Sequence, residues 1–195
     1  MTVVTDNMNP DKQRLASSVA MTILLVSFSM LFAAFFLGYA VYRIQNENWP
    51  PMGMPTVPLL YPLASTLIIM FSSFTYWRFQ RLFFEKAEHL LLKVWLGATI
   101  LFGFGFVGSQ WVLWETMWEQ GLNASAGIFP SLIHGFTWLH VGHMALGMIS
   151  LVWLFWKIRR TDYGVSDENK VVNIGKFWHF LDIVWIAMFL ALFVI

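Results

Sequence analysis

The stretch VAMTILLVSFSMLFAAFFLGYAVY, Val19–Tyr42, contains no charged residue and no proline. A helix of about 20 apolar residues crosses the roughly 30 Å hydrocarbon core of a bilayer. The stretch is too long for the apolar core of a signal peptide, Asp6 and Asp11 precede it, and no small-residue cleavage site follows it. We therefore predict a transmembrane helix that anchors the chain.

Four further apolar stretches follow, at about Val57–Trp77, Leu91–Leu113, Phe129–Trp156 and Phe177–Ile195. Their apolar residues are continuous rather than alternating, which favours helices over a membrane barrel. Of the 195 residues, 58% are hydrophobic and 12% are charged, whereas a soluble domain carries about 25% charged residues. We predict an all-α membrane protein, a five-helix transmembrane bundle with short connections and a single domain over residues 1–195.

The net charge is +1 at pH 7, and the chain contains no cysteine. A protein that binds nucleic acid needs an excess of basic residues, so nucleic acid is excluded as a partner. Without thiolates the chain forms no disulfide, no covalently attached c-type haem and no cysteine-bridged copper pair. Its 5 histidines are few for a chain that would hold several metals by itself.

The basic residues predict the orientation in the membrane. One set lies in the N-terminal segment and the second and fourth connections, and it holds 11 of the 12 lysines and arginines: Lys12, Arg14, Arg78, Arg81, Lys86, Lys93, Lys157, Arg159, Arg160, Lys170 and Lys176. The first connection has only Arg43, and the third connection and the C-terminus have none. By the positive-inside rule the N-terminus is cytoplasmic and the C-terminus lies outside.

The first connection, Asn46–Pro62, holds five of the 7 prolines of the chain. Proline fixes φ, lacks an N–H donor and pushes the preceding residue toward an extended conformation. We predict a stiff, extended loop on the outer side that leads into the second helix.

The last helix opens with WHFLD, in which His179 and Asp182 lie one turn apart on the same face. Ionisable groups are costly inside a bilayer, so each one needs a reason. The aspartate can fix the tautomer of the imidazole, which makes the pair a candidate proton relay or a contact with a buried partner. Alternatively, the pair anchors the helix near the inner surface, beside Lys176.

The fourth helix carries His134, His140 and His143, of which the last two share a face. A haem in a helix bundle is held by histidines on facing helices, so His140 or His143 with His179 is a candidate pair of haem ligands. On this hypothesis the protein is a small electron carrier. The alternative is that the buried histidines hydrogen-bond to a neighbouring helix.

Two patterns indicate helix packing. The stretch GFGFVG, Gly103–Gly108, formally matches a dinucleotide fingerprint, but it lies in an apolar span with no preceding strand, so we interpret it as close packing through small residues. Hydroxyl side chains on the second helix predict a polar seam that faces another helix rather than lipid: Ser65, Thr66, Ser72, Ser73 and Thr75.

The motif FWHFLDIVW, Phe177–Trp185, resembles the closing-helix signature of subunit III of haem-copper oxidases, which include cytochrome c oxidase and the quinol oxidases. The WPP loop at 49–51 and the hydroxyl seam that follows it are similar to the corresponding segments of the same family. The loop resembles the cytochrome c oxidase branch more than the quinol oxidase branch. The stretch LHV at 139–141 resembles part of the fourth-helix motif. By this resemblance, the structural or partner-contact candidates are His179, Asp182, Trp178, Trp185, His140, Trp49, Pro50 and Pro51.

The resemblance implies a non-catalytic subunit that binds no haem, copper or other cofactor of its own. Haem and copper are then expected in the partners, the catalytic subunit I and subunit II, within a bacterial inner membrane. In the family, subunit III supports oxygen reduction and proton translocation by subunit I, protects subunit I during turnover and binds phospholipid. We expect the same of this chain, with no catalytic residue of its own.

The sequence departs from the family pattern at several positions. It begins at what resembles the third helix of longer members, and SFSMLF at 27–32 lacks the glutamate common in that helix, so no role of that carboxylate is transferred. Thr137 and Leu113 stand where the family has a histidine and a glutamate. The alternatives are therefore a subunit III-like accessory protein of nitric oxide reductase or of a quinol oxidase.

Overall fold

The computed structural model describes residues 10–46, 55, 59–160 and 167–194, and these residues contain five long helices and no strand. The five are α1 (Pro10–Gln45), α2 (Leu60–Phe84), α3 (His89–Glu119), α4 (Ile128–Arg159) and α5 (Glu168–Phe189), and α5 continues into a π-helical turn at Leu190–Val194. The prediction of an all-α bundle of five helices is confirmed.

Most helices extend beyond the apolar stretches. The difference is largest at the starts of α1 and α5, which begin at Pro10 rather than Val19 and at Glu168 rather than Phe177. Hydropathy marks only the apolar part of a helix, whereas the first turns of α5 are polar. Polar contacts with α1 stabilise these turns: the Asn169 side chain donates a hydrogen bond to the Arg14 carbonyl of α1 at 3.2 Å. The predicted start of the last helix was therefore wrong by more than two turns.

The start of α2 also differs from the prediction, because the helix begins at Leu60 rather than at Val57. Pro62 consequently lies in the first turn of α2 and not in the proline-rich connection. Proline is tolerated there because the first N–H groups of a helix have no acceptor within the helix.

The helices alternate in direction along the chain. α1 and α5 are parallel, because Asn169 donates to Ser17 near the start of both helices and Tyr39 donates to the Ala191 carbonyl at 2.5 Å near their other ends. An ion pair joins the end of α4 to the residue before α5, so these two helices are antiparallel. The predicted antiparallel arrangement of successive helices follows from such contacts.

We call the end of the bundle where α1, α3 and α5 begin the basic end. Cations there lie over tryptophan rings, with Arg78 5.6 Å from the Trp95 centroid and Lys157 5.6 Å from that of Trp153. Cations and aromatic rings at this level are typical of a membrane interface. Arg43 lies at the opposite end, in the last turn of α1.

By length and composition, four described helices are able to cross a membrane: α1, α3, α4 and α5 with its terminal turn. α2 has 25 residues, about 37 Å of helix at 1.5 Å per residue. Its hydroxyl side chains and its arginines lower its hydropathy. α2 nevertheless runs between α3 and α5 over the same depth, as hydrogen bonds at Thr66 and Thr75 show.

The buried core lies among α2, α3, α4 and α5, where Trp178 and Trp185 are the largest fully buried side chains. α1 lies at the edge of this core. Among its described side chains Phe32 and Tyr39 are buried. Most of the others are exposed, and the majority of the exposed ones are apolar. An apolar exterior of this kind suits contact with lipid rather than with water.

Candidate functional site

Two tryptophan indoles of α5 hydrogen-bond to hydroxyl groups of α2. Trp178 Nε1 donates to Ser72 Oγ at 3.2 Å, and Trp185 Nε1 donates to Thr66 Oγ1 at 3.0 Å. Trp178 and Trp185 are seven residues apart, about two helical turns, so both face α2. The structural candidates Trp178 and Trp185 therefore both link α5 to α2 inside the buried core.

A third hydrogen bond between the two helices lies nearer the basic end. The buried Tyr76 hydroxyl donates to the Val171 carbonyl at 2.8 Å. Gly175 makes this contact possible, since a Cβ there would lie 2.7 Å from Cε1 of the Tyr76 ring. The helices approach closely only because this position has no side chain.

The other face of α2 carries hydroxyl groups that contact α3. Ser65 Oγ lies 2.8 Å from Ser109 Oγ and accepts a hydrogen bond from Gln110 Nε2 at 2.9 Å. Thr75 Oγ1 lies 2.9 Å from Thr99 Oγ1. The predicted polar seam on α2 is confirmed, and it serves two neighbouring helices, α3 and α5, rather than one.

His179 and Asp182 form a three-residue cluster with Ser73 of α2. The Ser73 Oγ lies 2.6 Å from His179 Nδ1. The same nitrogen is 3.7 Å from Asp182 Oδ2, and the side chains of His179 and Asp182 are 35% and 6% exposed. Neither carboxylate oxygen accepts a hydrogen bond from another described residue. The one-turn pair predicted from the sequence therefore exists.

This cluster lines a groove of about 470 Å³ on the outer surface of the bundle. We call it the α2–α5 groove: its polar part is Ser73, His179 and Asp182, and its apolar walls are Met70, Phe74, Trp77, Ile183 and Ile186. The groove opens on the surface of the bundle, away from the core, where lipid or another helix contacts a membrane protein.

His140 packs against aromatic rings at the centre of the bundle. Its ring is 0% exposed and its centroid lies 5.6 Å from those of both Phe106 and Trp185. Neither ring nitrogen forms a hydrogen bond with a described residue. The expectation that this histidine bonds to a neighbouring helix is therefore wrong, and its contacts with the neighbouring helices are ring contacts.

The other two histidines of α4 also form no hydrogen bond to a neighbouring helix. His143 Nδ1 donates to the Leu139 carbonyl of its own helix at 2.7 Å. His134 Nε2 donates to the carbonyl of Leu122, in the α3–α4 connection, at 2.9 Å. Their hydrogen bonds stabilise local structure.

The candidate haem ligands are not brought together. Trp185, which contacts His140, lies six residues beyond His179 on α5, about 9 Å along the helix. His143 packs against Phe28 of α1, with ring centroids 4.3 Å apart, whereas His179 faces α2. Within the described ranges, no group of three or more His, Cys, Asp or Glu side chains is arranged to hold a metal ion.

Three further features that the sequence singled out are the WPP loop, Thr137 and the GFGFVG glycines. Trp49, Pro50 and Pro51 lie outside the described residues. Thr137 accepts a hydrogen bond from Trp114 Nε1 at 2.9 Å, so it links α3 to α4. Of the GFGFVG glycines, Gly103 is buried against Met148 and Trp178, as close packing requires, whereas Gly108 has no atom within 4 Å of a built Cβ.

Sequence reasoning missed Ser73 as the partner of His179, and Gly175 as the position that admits Tyr76. The signal for Ser73 was present, since SSFTYW at 72–77 combines hydroxyl groups with a tyrosine. What was lacking was the register of α2 against α5, which decides whether Ser72 or Ser73 faces the histidine.

Helices with apolar exteriors, closely packed through hydroxyl, indole and glycine contacts, define a multi-pass α-helical membrane protein. The family model described as "Cytochrome c oxidase subunit III" matches residues 12–195. The chain belongs to this family, as the closing-helix motif predicts. It is a subunit III of a haem-copper oxidase complex and a bacterial multi-pass membrane protein.

Three relatives illustrate the range of the similarity. The chain is 28% identical to cytochrome c oxidase subunit 3 of Synechocystis over 88% of its own length and 72% of the relative. It is 31% identical to the probable cytochrome c oxidase subunit 3 of Nocardia farcinica over 90% and 86%. It is 29% identical to cytochrome bo(3) ubiquinol oxidase subunit 3 of Pseudomonas aeruginosa over 87% and 80%.

Proposed function

We propose that this chain is the non-redox subunit III of a cytochrome c oxidase, with no haem or copper of its own. Family membership over residues 12–195 carries the proposal. The donor set agrees with it, because His140 is enclosed by aromatic rings and His179 Nδ1 is engaged by Ser73. Haem and copper then belong to the catalytic subunit I and to subunit II.

In this assignment the chain takes no direct part in the redox reaction and acts through its contact with subunit I. It packs against subunit I, supports proton uptake and oxygen reduction there, prolongs the active lifetime of subunit I and binds phospholipid. The glutamate that many family members carry in the helix that α1 resembles is absent, so the chain acts through packing and its polar cluster rather than through that carboxylate.

The predicted site residues are proposed as structural and partner-contact positions. His179 and Asp182 line an open groove and are the candidates for direct contact with a partner. Trp178, Trp185 and His140 are fully buried, so they act by shaping the helices that carry the groove. Trp49, Pro50 and Pro51 are proposed as partner contacts from the family motif alone.

The test of this function is purification of the complex through a tag on subunit I, with wild-type chain and the Asp182→Asn variant. Wild-type chain is expected in one copy per copper-containing complex. The variant is expected to leave the complex more readily or to shorten the lifetime of activity. An isolated chain with a stoichiometric haem band in its visible spectrum would contradict the proposal.

The orientation is proposed from the charge distribution, with the basic end in the cytoplasm. The cations over tryptophan rings at this end are in accord with that placement. A reporter enzyme fused after Ile195 is expected to be active when it functions only outside the cytoplasm. Activity of a reporter that works only in the cytoplasm would refute this orientation.

A quinol oxidase is the second candidate, and the similarity to the bo(3) ubiquinol oxidase subunit of Pseudomonas aeruginosa favours it. The two candidates differ in the electron donor of the whole complex. Oxygen uptake by the purified complex with reduced cytochrome c, compared with uptake with a reduced quinol, separates them.

A further inference from the structure

The imidazole of His179 uses only one of its two nitrogens within the chain. Nδ1 lies 2.6 Å from Ser73 Oγ and 3.7 Å from Asp182 Oδ2. Nε2 forms no hydrogen bond with any described residue and is not buried, and the ring lines the α2–α5 groove. One polar atom is therefore presented to whatever fills this groove.

The contacts of Nδ1 occupy one side of the ring. Ser73 Oγ and the Asp182 carboxyl group both lie on this side, and together they hold the ring in place. Nε2 on the other side carries a proton in one tautomer and a lone pair in the other, so in both tautomers it is a polar atom that needs a hydrogen-bonding partner.

Lipid acyl chains have no hydrogen-bonding group, and an unsatisfied polar atom in hydrocarbon is costly. The apolar walls of the groove, Met70, Phe74 and Ile183 among them, suit the apolar side chains of another transmembrane helix. Ser, Thr, Asn, Gln and His side chains hydrogen-bond across helices in membranes. The groove therefore combines apolar walls with one polar atom that has no hydrogen-bond partner among the described residues.

We propose that the α2–α5 groove binds a transmembrane helix of another subunit of the oxidase, and that this helix forms a hydrogen bond with Nε2 of His179. The bonding group on that helix is a hydroxyl or an amide, which is able to donate or to accept. Asp182 and Ser73 are positioning residues, since they hold the angle of the ring. The inference rests on the proposed function, because the partner helix comes from the same complex.

Two isosteric variants separate the two nitrogens. In His179→Gln the longer side chain places an amide group near the Nε2 position, where it is able to hydrogen-bond to the partner helix. In His179→Asn the shorter side chain places its amide near Nδ1, so it keeps the link to Ser73 and loses the polar group in the groove. The two variants are each other's control.

The experiment is retention of the chain in the complex, measured by mass spectrometry after purification through subunit I and a detergent wash. We expect His179→Gln to be retained better than His179→Asn on the order of threefold or more, as one interhelical hydrogen bond implies. Equal retention of the two variants, or better retention of His179→Asn, would overturn the inference. Absence of the wild-type chain from the complex would instead refute the proposed function.

A second measurement on wild-type protein covers variants that fail to fold. Diethyl pyrocarbonate modifies accessible imidazole nitrogens, and the modified peptide is identified by mass. We expect His179 to be modified when the full chain stands alone in lipid nanodiscs and to be protected in the complex. Protection of His179 in the nanodiscs, where no partner subunit is present, would mean that lipid or a second copy fills the groove. Modification in both the nanodiscs and the complex would mean that no partner covers it. Both results contradict the proposal.

Discussion

The contact between α2 and α5 differs from the contact between α1 and the rest of the bundle. In the most apolar 18-residue stretch of each helix, 44% of the α5 residues are buried against 6% of those of α1. α5 approaches α2 through Gly175, with indole and phenol donors on matching acceptors. The middle of α1 touches its neighbours through aromatic side chains, as Phe28 does with His143.

The difference teaches how helices associate where the hydrophobic effect is weak. Lipid tails are as apolar as leucine, so close backbone approach and hydrogen bonds decide which helices adhere. The α2–α5 contact has both features. α1 is joined to α5 by hydrogen bonds near its two ends, those of Asn169 with Arg14 and Ser17 and that of Tyr39 with Ala191, and its middle has only ring contacts. We therefore expect it to separate from the bundle more easily than α5.

The largest expected effect is that of Trp178→Ala in the α2–α5 contact. The side chain is fully buried and packs against Gly103 and Gly147, so its loss should cost about 3–5 kcal/mol of unfolding free energy, measured by denaturation in mixed micelles. Phe32→Ala on α1 should cost less, because α1 is able to shift. The exposed Trp138 serves as a control whose change to alanine should have little effect. Equal losses for Trp178 and Phe32 would break the comparison.

The next effect in size is that of Gly175→Ala. Its Cβ would meet the Tyr76 ring at 2.7 Å and Gln80 Oε1 at 2.8 Å, so we expect a loss of about 1–3 kcal/mol from overpacking. Gly142 is the matched control, because no atom lies within 4 Å of its built Cβ. Gly142→Ala should be neutral or slightly stabilising, since alanine favours helix. A Gly175→Ala protein as stable as wild type would show that the helices do not need this close approach.

The smallest effects come from a matched pair of tyrosines. Tyr76 and Tyr39 each donate to an α5-side carbonyl, that of Val171 and that of Ala191. We expect Tyr76→Phe to cost about 0.6 to 1.7 kcal/mol, and Tyr39→Phe to cost less because its hydrogen bond is only partly buried. Hydrogen exchange adds a regional readout: Tyr39→Phe should raise exchange in α1 alone. Faster exchange throughout the bundle would show that α1 is as integral to it as α5.

Much of the architecture was predictable because a continuous apolar stretch of about 20 residues is enough to predict a transmembrane helix. Five apolar stretches predicted five helices, and the hydroxyl groups of α2 predicted a polar seam, which Ser65 and Thr75 form with α3. The helix ends were predicted less well. The first turns of α5 are polar, and contacts such as Asn169 with Ser17 stabilise them, which hydropathy does not detect.

The candidate site was predictable only in part. The spacing of His179 and Asp182 placed them on one face, and the structure adds Ser73 and an open groove. The haem hypothesis depended on which neighbours His140 and His179 face, and in the structure these two side chains pack against different ones. That choice depends on helix rotation and register, which residues distant in sequence decide together.

The sequence by itself determined that this chain is a helical membrane protein and a member of the subunit III family. The length of an apolar stretch and the residues of a motif are properties of one continuous segment, so they are found from the sequence alone. Only the tertiary structure decided that His140 packs against aromatic rings, that Gly175 admits Tyr76, and that His179 lies beside Ser73 in the α2–α5 groove. These facts depend on the packing of several helices against each other, and packing is a property of side chains far apart in sequence.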